Sequence, residues 1–193
     1  MLKKLQSLKA KKGFTLVELI VVIAIIAVLA AILVPTMMGY VTQSRVTSAD
    51  STAQQLKDTV GNAMVEMDTK GYKVPVTGTV YLGGTSGGSA TCTLDSSLAA
   101  GTDITADYPQ LVDAIKKKIN EDYTFTKAFK AVVYISDRKA VGCVYCADGS
   151  IADTSLSGIT WSILKSGNYS WPSTDGIDSS GNVIGTSPKV IKS

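Results

Sequence analysis

A chain of 193 residues, 45% hydrophobic and 18% charged, accommodates one domain of ordinary size plus an appendage. Its formal charge is +3, yet five of its 19 basic residues (Lys3, Lys4, Lys9, Lys11 and Lys12) fall in the first 13 positions, where there is no acid. The remainder has 14 basic against 16 acidic residues, a formal −2, so the electrostatic case for nucleic-acid binding by that part is lost. There is no histidine, hence neither the commonest general base nor the commonest metal ligand. No paired-carboxylate motif or nucleophile elbow takes its place. No enzymatic activity, cofactor or metal is predicted.

After the lysines comes Gly13, then an apolar run from Phe14 to Met38 interrupted only by Thr15, Glu18, Pro35 and Thr36. As a helix it is long enough to cross a bilayer core of about 30 Å. The lysines ahead of it place the N-terminus in the cytoplasm and the chain beyond the apolar run outside it. A secretory signal peptide has its small-residue cleavage site after the apolar stretch, whereas Gly13 lies before it. A plain single-pass anchor gives no reason for Glu18, a costly carboxylate of the kind that is functional by default in such a segment.

The segment Lys11-Lys12-Gly13-Phe14-Thr15-Leu16-Val17-Glu18-Leu19 resembles the class III signal of type IV prepilins, pseudopilins and their relatives. The resemblance implies a cytoplasmic leader, 1–13, removed after Gly13 by a prepilin peptidase that also N-methylates Phe14. It implies a role for Glu18 in subunit pairing and assembly. The implied partners are that peptidase/N-methyltransferase, other pilin subunits, a membrane assembly platform, a cytoplasmic assembly ATPase, and membrane lipid before assembly. The implied product is the structural subunit of a type IV pilus or similar surface filament. The alternative is a pseudopilin of a type II secretion or DNA-uptake system.

Beyond Gly39, apolar residues recur at Val46, Ala49, Ala53, Leu56, Val60, Ala63 and Met67. Spacings of three and four make one face of a helix, and Gly71 supplies a stop. The sequence therefore predicts a helix from Phe14 to about Lys70, roughly 85 Å long at 1.5 Å per residue. Its membrane or filament-core half is 14–38 and its amphipathic half 39–70. Pro35 removes a helical hydrogen bond and Gly39 is a poor helix former, which predicts a kink there; the family resemblance adds a segment that unwinds during assembly.

Residues 71–193 read as an extracytoplasmic head. A strand is expected from Lys73 to Leu82, at a sheet edge because of Pro75. Gly83 to Ser89 is a glycine-rich loop without the lysine of a phosphate loop. A helix is expected from Asp107-Tyr108-Pro109 to about Asn120, with Leu111, Val112, Ile115 and Ile119 on one face; Lys116, Lys117 and Lys118 near its end read as a solvated surface. Strands are expected at Tyr123–Phe129, Ala131–Ile135 and Ala140–Tyr145, the last two joined by a hairpin turn at Ser136–Lys139. The rest is turn-rich, with short strands at Ile151 and at Ile159–Leu164. Trp161, Tyr169 and Trp171 are candidates for a sugar-stacking platform or for ordinary packing. The fold class is α+β, a long N-terminal helix on an antiparallel sheet, as the resemblance also implies. Cys143 and Cys146, three apart on one strand, point to opposite faces and cannot bridge each other. A bridge from Cys92 to Cys143 or Cys146 is one reading, and apolar packing of small thiols is the other. Many Gram-negative pilins close their C-terminal region with a cysteine pair; this chain has no cysteine beyond Cys146, so either another device holds 147–193 or they are loose.

Overall fold

A computed structural model describes residues 14–85, 88–95, 103–123, 128–147, 159–169, 176–178 and 182–192. By internal contacts the chain falls into two units, 1–42 and 43–193.

In the first unit the described residues are helical from Leu16 onward, the start of helix α1 (Leu16–Thr69). Every side chain from Phe14 to Val41 is exposed. The helix is long and apolar enough to cross a membrane. It continues through Pro35 and Gly39. Proline has no N–H to give the carbonyl of Ala31. The polar side chains nearby satisfy themselves within the helix: the Thr36 hydroxyl donates to the Leu33 carbonyl (2.8 Å) and Thr42 to Met38 (3.1 Å).

The second unit is α+β. Strands β1 (Gly78–Gly84), β2 (Ala90–Asp95), β3 (Phe129–Ser136), β4 (Lys139–Cys146) and β6 (Ile184–Ser187) form one antiparallel sheet in the order β2-β1-β3-β4-β6. Helix α2 (Pro109–Asp122) precedes β3. A short helix α3 (Trp161–Ser166) leads into β5 (Asn168–Tyr169), which pairs in parallel with β7 (Ile191–Lys192).

Strand alternation assigns the two sheet faces. Val80 and Leu82, Cys92 and Leu94, Val133 and Ile135, and Cys143 and Tyr145 join the buried face of α1 (Ala49, Ala53, Leu56, Val60, Ala63, Met64, Met67) in one core. Leu111, Val112, Ile115 and Ile119 of α2 complete it. The intervening residues, Val132, Tyr134, Val144 and Cys146, lie in a second cluster with Ile159, Leu164, Ile184 and Val190. The helical stripe and the α2 face read from the sequence are thus the buried faces.

The β3–β4 hairpin turns at Asp137-Arg138, both with positive φ (51° and 61°). This is the pairing a two-residue turn of twisted strands requires. The turn is seated on the end of α1 by Arg138, whose guanidinium lies 3.3 Å from the Asp68 carboxylate and whose backbone N–H donates to the Val76 carbonyl (3.0 Å).

Several expectations are corrected. The strand expected from Lys73 begins only at Gly78, beyond Pro75, and it is interior, paired to β2 and to β3. With Pro75 outside the ladder, its missing N–H sets no limit on the strand's position. The segment expected as strand at Ile159–Leu164 is helical from Trp161, ending at Gly167 with φ +72°. Such an αL terminator favours glycine. The strand expected at Tyr123–Phe129 is described only at its ends: Tyr123 caps α2 and Phe129 opens β3. Ile151 lies outside the described residues. Strands β2 and β6 are not foreseen in the sequence pattern.

The α1–sheet–α2 core yields a direct test. Ile115 is fully buried, and Ile115→Ala should destabilise the head by about 2–5 kcal/mol, the range for such cavities. Thermal unfolding of the detergent-solubilised chain, against an exposed Lys117→Ala control, measures it.

Candidate functional site

The candidate site is the start of α1. Gly13 lies outside the described residues. Phe14 is 85% exposed, and Thr15 is the last residue before the helix. The Glu18 carboxylate accepts hydrogen bonds from the Thr15 N–H (2.8 Å) and the Thr15 hydroxyl (2.8 Å), while the Glu18 N–H donates to Thr15 Oγ1 (3.2 Å). This is a reciprocal capping box, Thr-x-x-Glu, which satisfies donors that a helix start leaves without intrahelical partners. A carboxylate at this end also meets the positive end of the helix dipole. Glu18 therefore has a local partner within its own helix start. Its signal in the sequence is Thr15-Leu16-Val17-Glu18, a threonine three residues ahead of the carboxylate at the head of an apolar run. The cost of the lone carboxylate points to Glu18 but not to Thr15.

Pro35 and Gly39 sit in the exposed helix about five and six turns further on, so the structure does not bring them together with Glu18.

The cysteines are not placed for a bridge from Cys92 to Cys143 or Cys146. All three are buried thiols. Cys92 lies on β2, and Cys143 and Cys146 lie on β4, with β1 and β3 between. Three strand spacings amount to about 14 Å, twice the Cα separation a disulfide spans. Cys143 faces the α1 core and Cys146 the second cluster. Burial pushes the Cys92 thiol up to about 12 and raises that of Cys143 as well, so neither yields a thiolate at neutral pH. Of the three aromatics, Trp161 and Tyr169 are half-buried against the second cluster, which is packing; Trp171 lies outside the described residues.

Lys118 of α2 departs from a purely solvated surface. Its ammonium is 2.9 Å from Glu66 of α1, which also pairs with Lys70 (2.7 Å). Hydrogen bonds from Lys70 and Lys118 hold the Glu66 carboxyl down at about 2. The pair ties the end of α1 to α2.

An exposed apolar helix capped by Thr15 and Glu18, leading into an amphipathic stretch packed on an antiparallel sheet, defines a pilin-like class of protein. Known proteins agree. Residues 8–34 match the family model described as the prokaryotic N-terminal methylation motif. Two proteins named fimbrial protein, both from Pseudomonas aeruginosa, are each 46% identical over 59 residues. That is 31% of this chain, and the chain spans 38% of those curated relatives' length. No solved structure matches the chain. The matched motif covers the start of α1, and with the long helix on an antiparallel sheet it makes the chain similar to type IV pilins.

The thiol geometry predicts that native protein, with or without reductant, takes up no maleimide at Cys92, Cys143 or Cys146, and that denaturation exposes three reactive thiols. Intact-mass measurement of alkylated samples checks this; two thiols fewer after denaturation without reductant would establish a bridge.

Proposed function

We propose that this chain is the precursor of a structural subunit of a type IV pilus or pilus-like surface filament. It is held in the membrane by the first half of α1, with its N-terminus cytoplasmic and its head outside. A prepilin peptidase cuts after Gly13 and methylates Phe14, and an assembly platform driven by a cytoplasmic ATPase moves the subunit into the filament. The observation that carries this reading is Glu18, a carboxylate at the fifth position of the apolar run that follows Gly13 in a matched methylation motif.

In the precursor, residue 14 has no free amine, and the Thr15 N–H and hydroxyl serve Glu18. Cleavage creates the Phe14 amine, and methylation leaves its positive charge in place. A charge buried among apolar helices without a partner costs several kcal/mol. In a staggered filament Glu18 meets the Phe14 amine of a neighbour, and that pairing selects one axial register over others. Pro35 and Gly39 mark where the helix is least costly to unwind during this transfer.

Mass spectrometry of sheared surface filaments tests the reading at its root, with a mature chain beginning at N-methylated Phe14 as the expected result. Long surface filaments containing the protein distinguish a pilus from a pseudopilus. Gly13→Trp should block cleavage and filaments; normal mature protein from that variant would sink the processing assignment.

Two substitutions at Glu18 separate capping from charge pairing. Glu18→Gln keeps a capping-box residue and removes the charge, while Glu18→Val removes both. Both variants should be inserted and cleaved, and neither should build filaments as the sole copy of the subunit. Wild-type filament numbers from Glu18→Gln would mean that the cap matters and the charge pairing does not.

A further inference from the structure

The C-terminal part of the head has no cysteine to close it, and strand β6 has only four residues and one ladder partner, β4. Apart from that ladder, the Ile184 N–H at its start donates to the Gly176 carbonyl (2.8 Å), and a strand so short needs a further hold along its length. Helix α1 is the neighbour that gives it. Gly185 lies against the backbone of Ala49 and Asp50, so close that a Cβ there would overlap the Ala49 carbonyl group. Gly176, at φ +76°, lies against Val46, where a Cβ would come within 2.5 Å of Cγ1. These close approaches bring the next residue into reach of the helix. The Thr186 N–H donates to Asp50 Oδ1 at 2.9 Å, across 136 positions of sequence. One helical turn on, the Ser187 hydroxyl is hydrogen-bonded to Gln54 Oε1. Thr186 in turn accepts the Val190 N–H on its hydroxyl (3.0 Å), so the chain after the strand is held through the same residue.

We propose that Asp50 is a latch: its side-chain oxygen, acting as a hydrogen-bond acceptor rather than as a charge, positions the C-terminal strand on α1 in place of a covalent closure. The acceptor role rests on the surroundings. The Asp50 side chain is largely buried, 16% exposed, and a backbone N–H points straight at it. The other charged group lining its groove is Lys189, at a long 3.8 Å and with its own side chain 53% exposed, an ion pair of little worth. A neutral acceptor of the same shape meets the Thr186 N–H equally well. Removing the acceptor leaves a buried N–H without a partner, the expensive half of a hydrogen bond.

The pH dependence has a definite sign. Burial raises the Asp50 carboxyl above its ordinary value, against the opposing Thr186 N–H and Lys189. A group whose folded value lies above the unfolded one binds its proton more tightly in the docked state. The latch therefore tightens as pH falls through the carboxylate range and loosens as pH rises through it.

Hydrogen exchange of the full-length subunit in detergent, read as protection factors for peptides covering β6, tests the proposal. Asp50→Ala should lose about tenfold or more in β6 protection (about 1.4 kcal/mol), with β1 and β3 unchanged. Asp50→Asn, neutral at every pH, should show at least wild-type protection at pH 7 and no further rise on acidification. Gly185→Ala, with Asp50 intact, should release β6 as Asp50→Ala does, because the strand can no longer approach. Should Asp50→Ala fail to fold, a folded, protected Asp50→Asn still supports the acceptor. Unchanged protection in Asp50→Ala overturns the latch. An Asp50→Asn variant as damaged as Asp50→Ala overturns the acceptor role.

Discussion

Ala49, Ala53 and Ala63, with Leu56, Val60 and Met67 between and beyond them, make the face of α1 on which the rest of the head is laid. Their alternation of small and large side chains lets other backbone come close at some levels and fills the gaps at others. The sheet presents Val80, Leu82, Val133, Ile135, Cys143 and Tyr145 to this face, and α2 adds its own apolar stripe beside them. Since strand side chains alternate strictly, fixing this face also fixes which residues lie on the reverse. Those form the second cluster under α3 and the C-terminal chain, so the sheet is covered on both sides. Disturbing the helix face would disturb both layers.

The first unit obeys a different rule. Its side chains from Phe14 to Val41 have no protein around them, and the segment reads as one meant for lipid or for other helices. In such surroundings polar groups must be satisfied within the segment itself. Thr36 and Thr42 return their hydroxyls to helix carbonyls, and Thr15 and Glu18 close on each other. The capping box thus gives a costly carboxylate an internal solution at the start of the helix.

The thiols and the C-terminal strand answer the same question in opposite ways. Residues 147–193 contain no cysteine, so no disulfide can tie them to the head. Glycine provides the alternative. At Gly185 the absence of a side chain brings main chain onto main chain, which places a backbone N–H against Asp50. Covalent closure is replaced by close approach plus one well-placed acceptor.

Much was legible in the sequence because it is written in local periodicity. The apolar run, the three-and-four stripe from Val46 to Met67, the α2 face and the β3–β4 hairpin depend on residues within a few turns or strands of one another. The Thr15–Glu18 cap is equally local, its members three residues apart, yet the cost of the carboxylate points to Glu18 alone. What only the tertiary structure decided concerns pairs far apart in the chain. Strand β2 is bracketed by glycine and small polar residues that read as loop, and its place at the sheet edge is set by β1 and α2. Ile159–Leu164 is apolar enough for a strand, but from Trp161 the chain is a helix that ends at Gly167, with Ile159 and Leu164 buried in the second cluster. Nothing near Asp50 in sequence announces Thr186, and nothing near Cys92 announces that two strands will separate it from β4. Local pattern fixes which faces are apolar; the order in which those faces stack is settled by long-range burial, to which no short stretch of sequence has access.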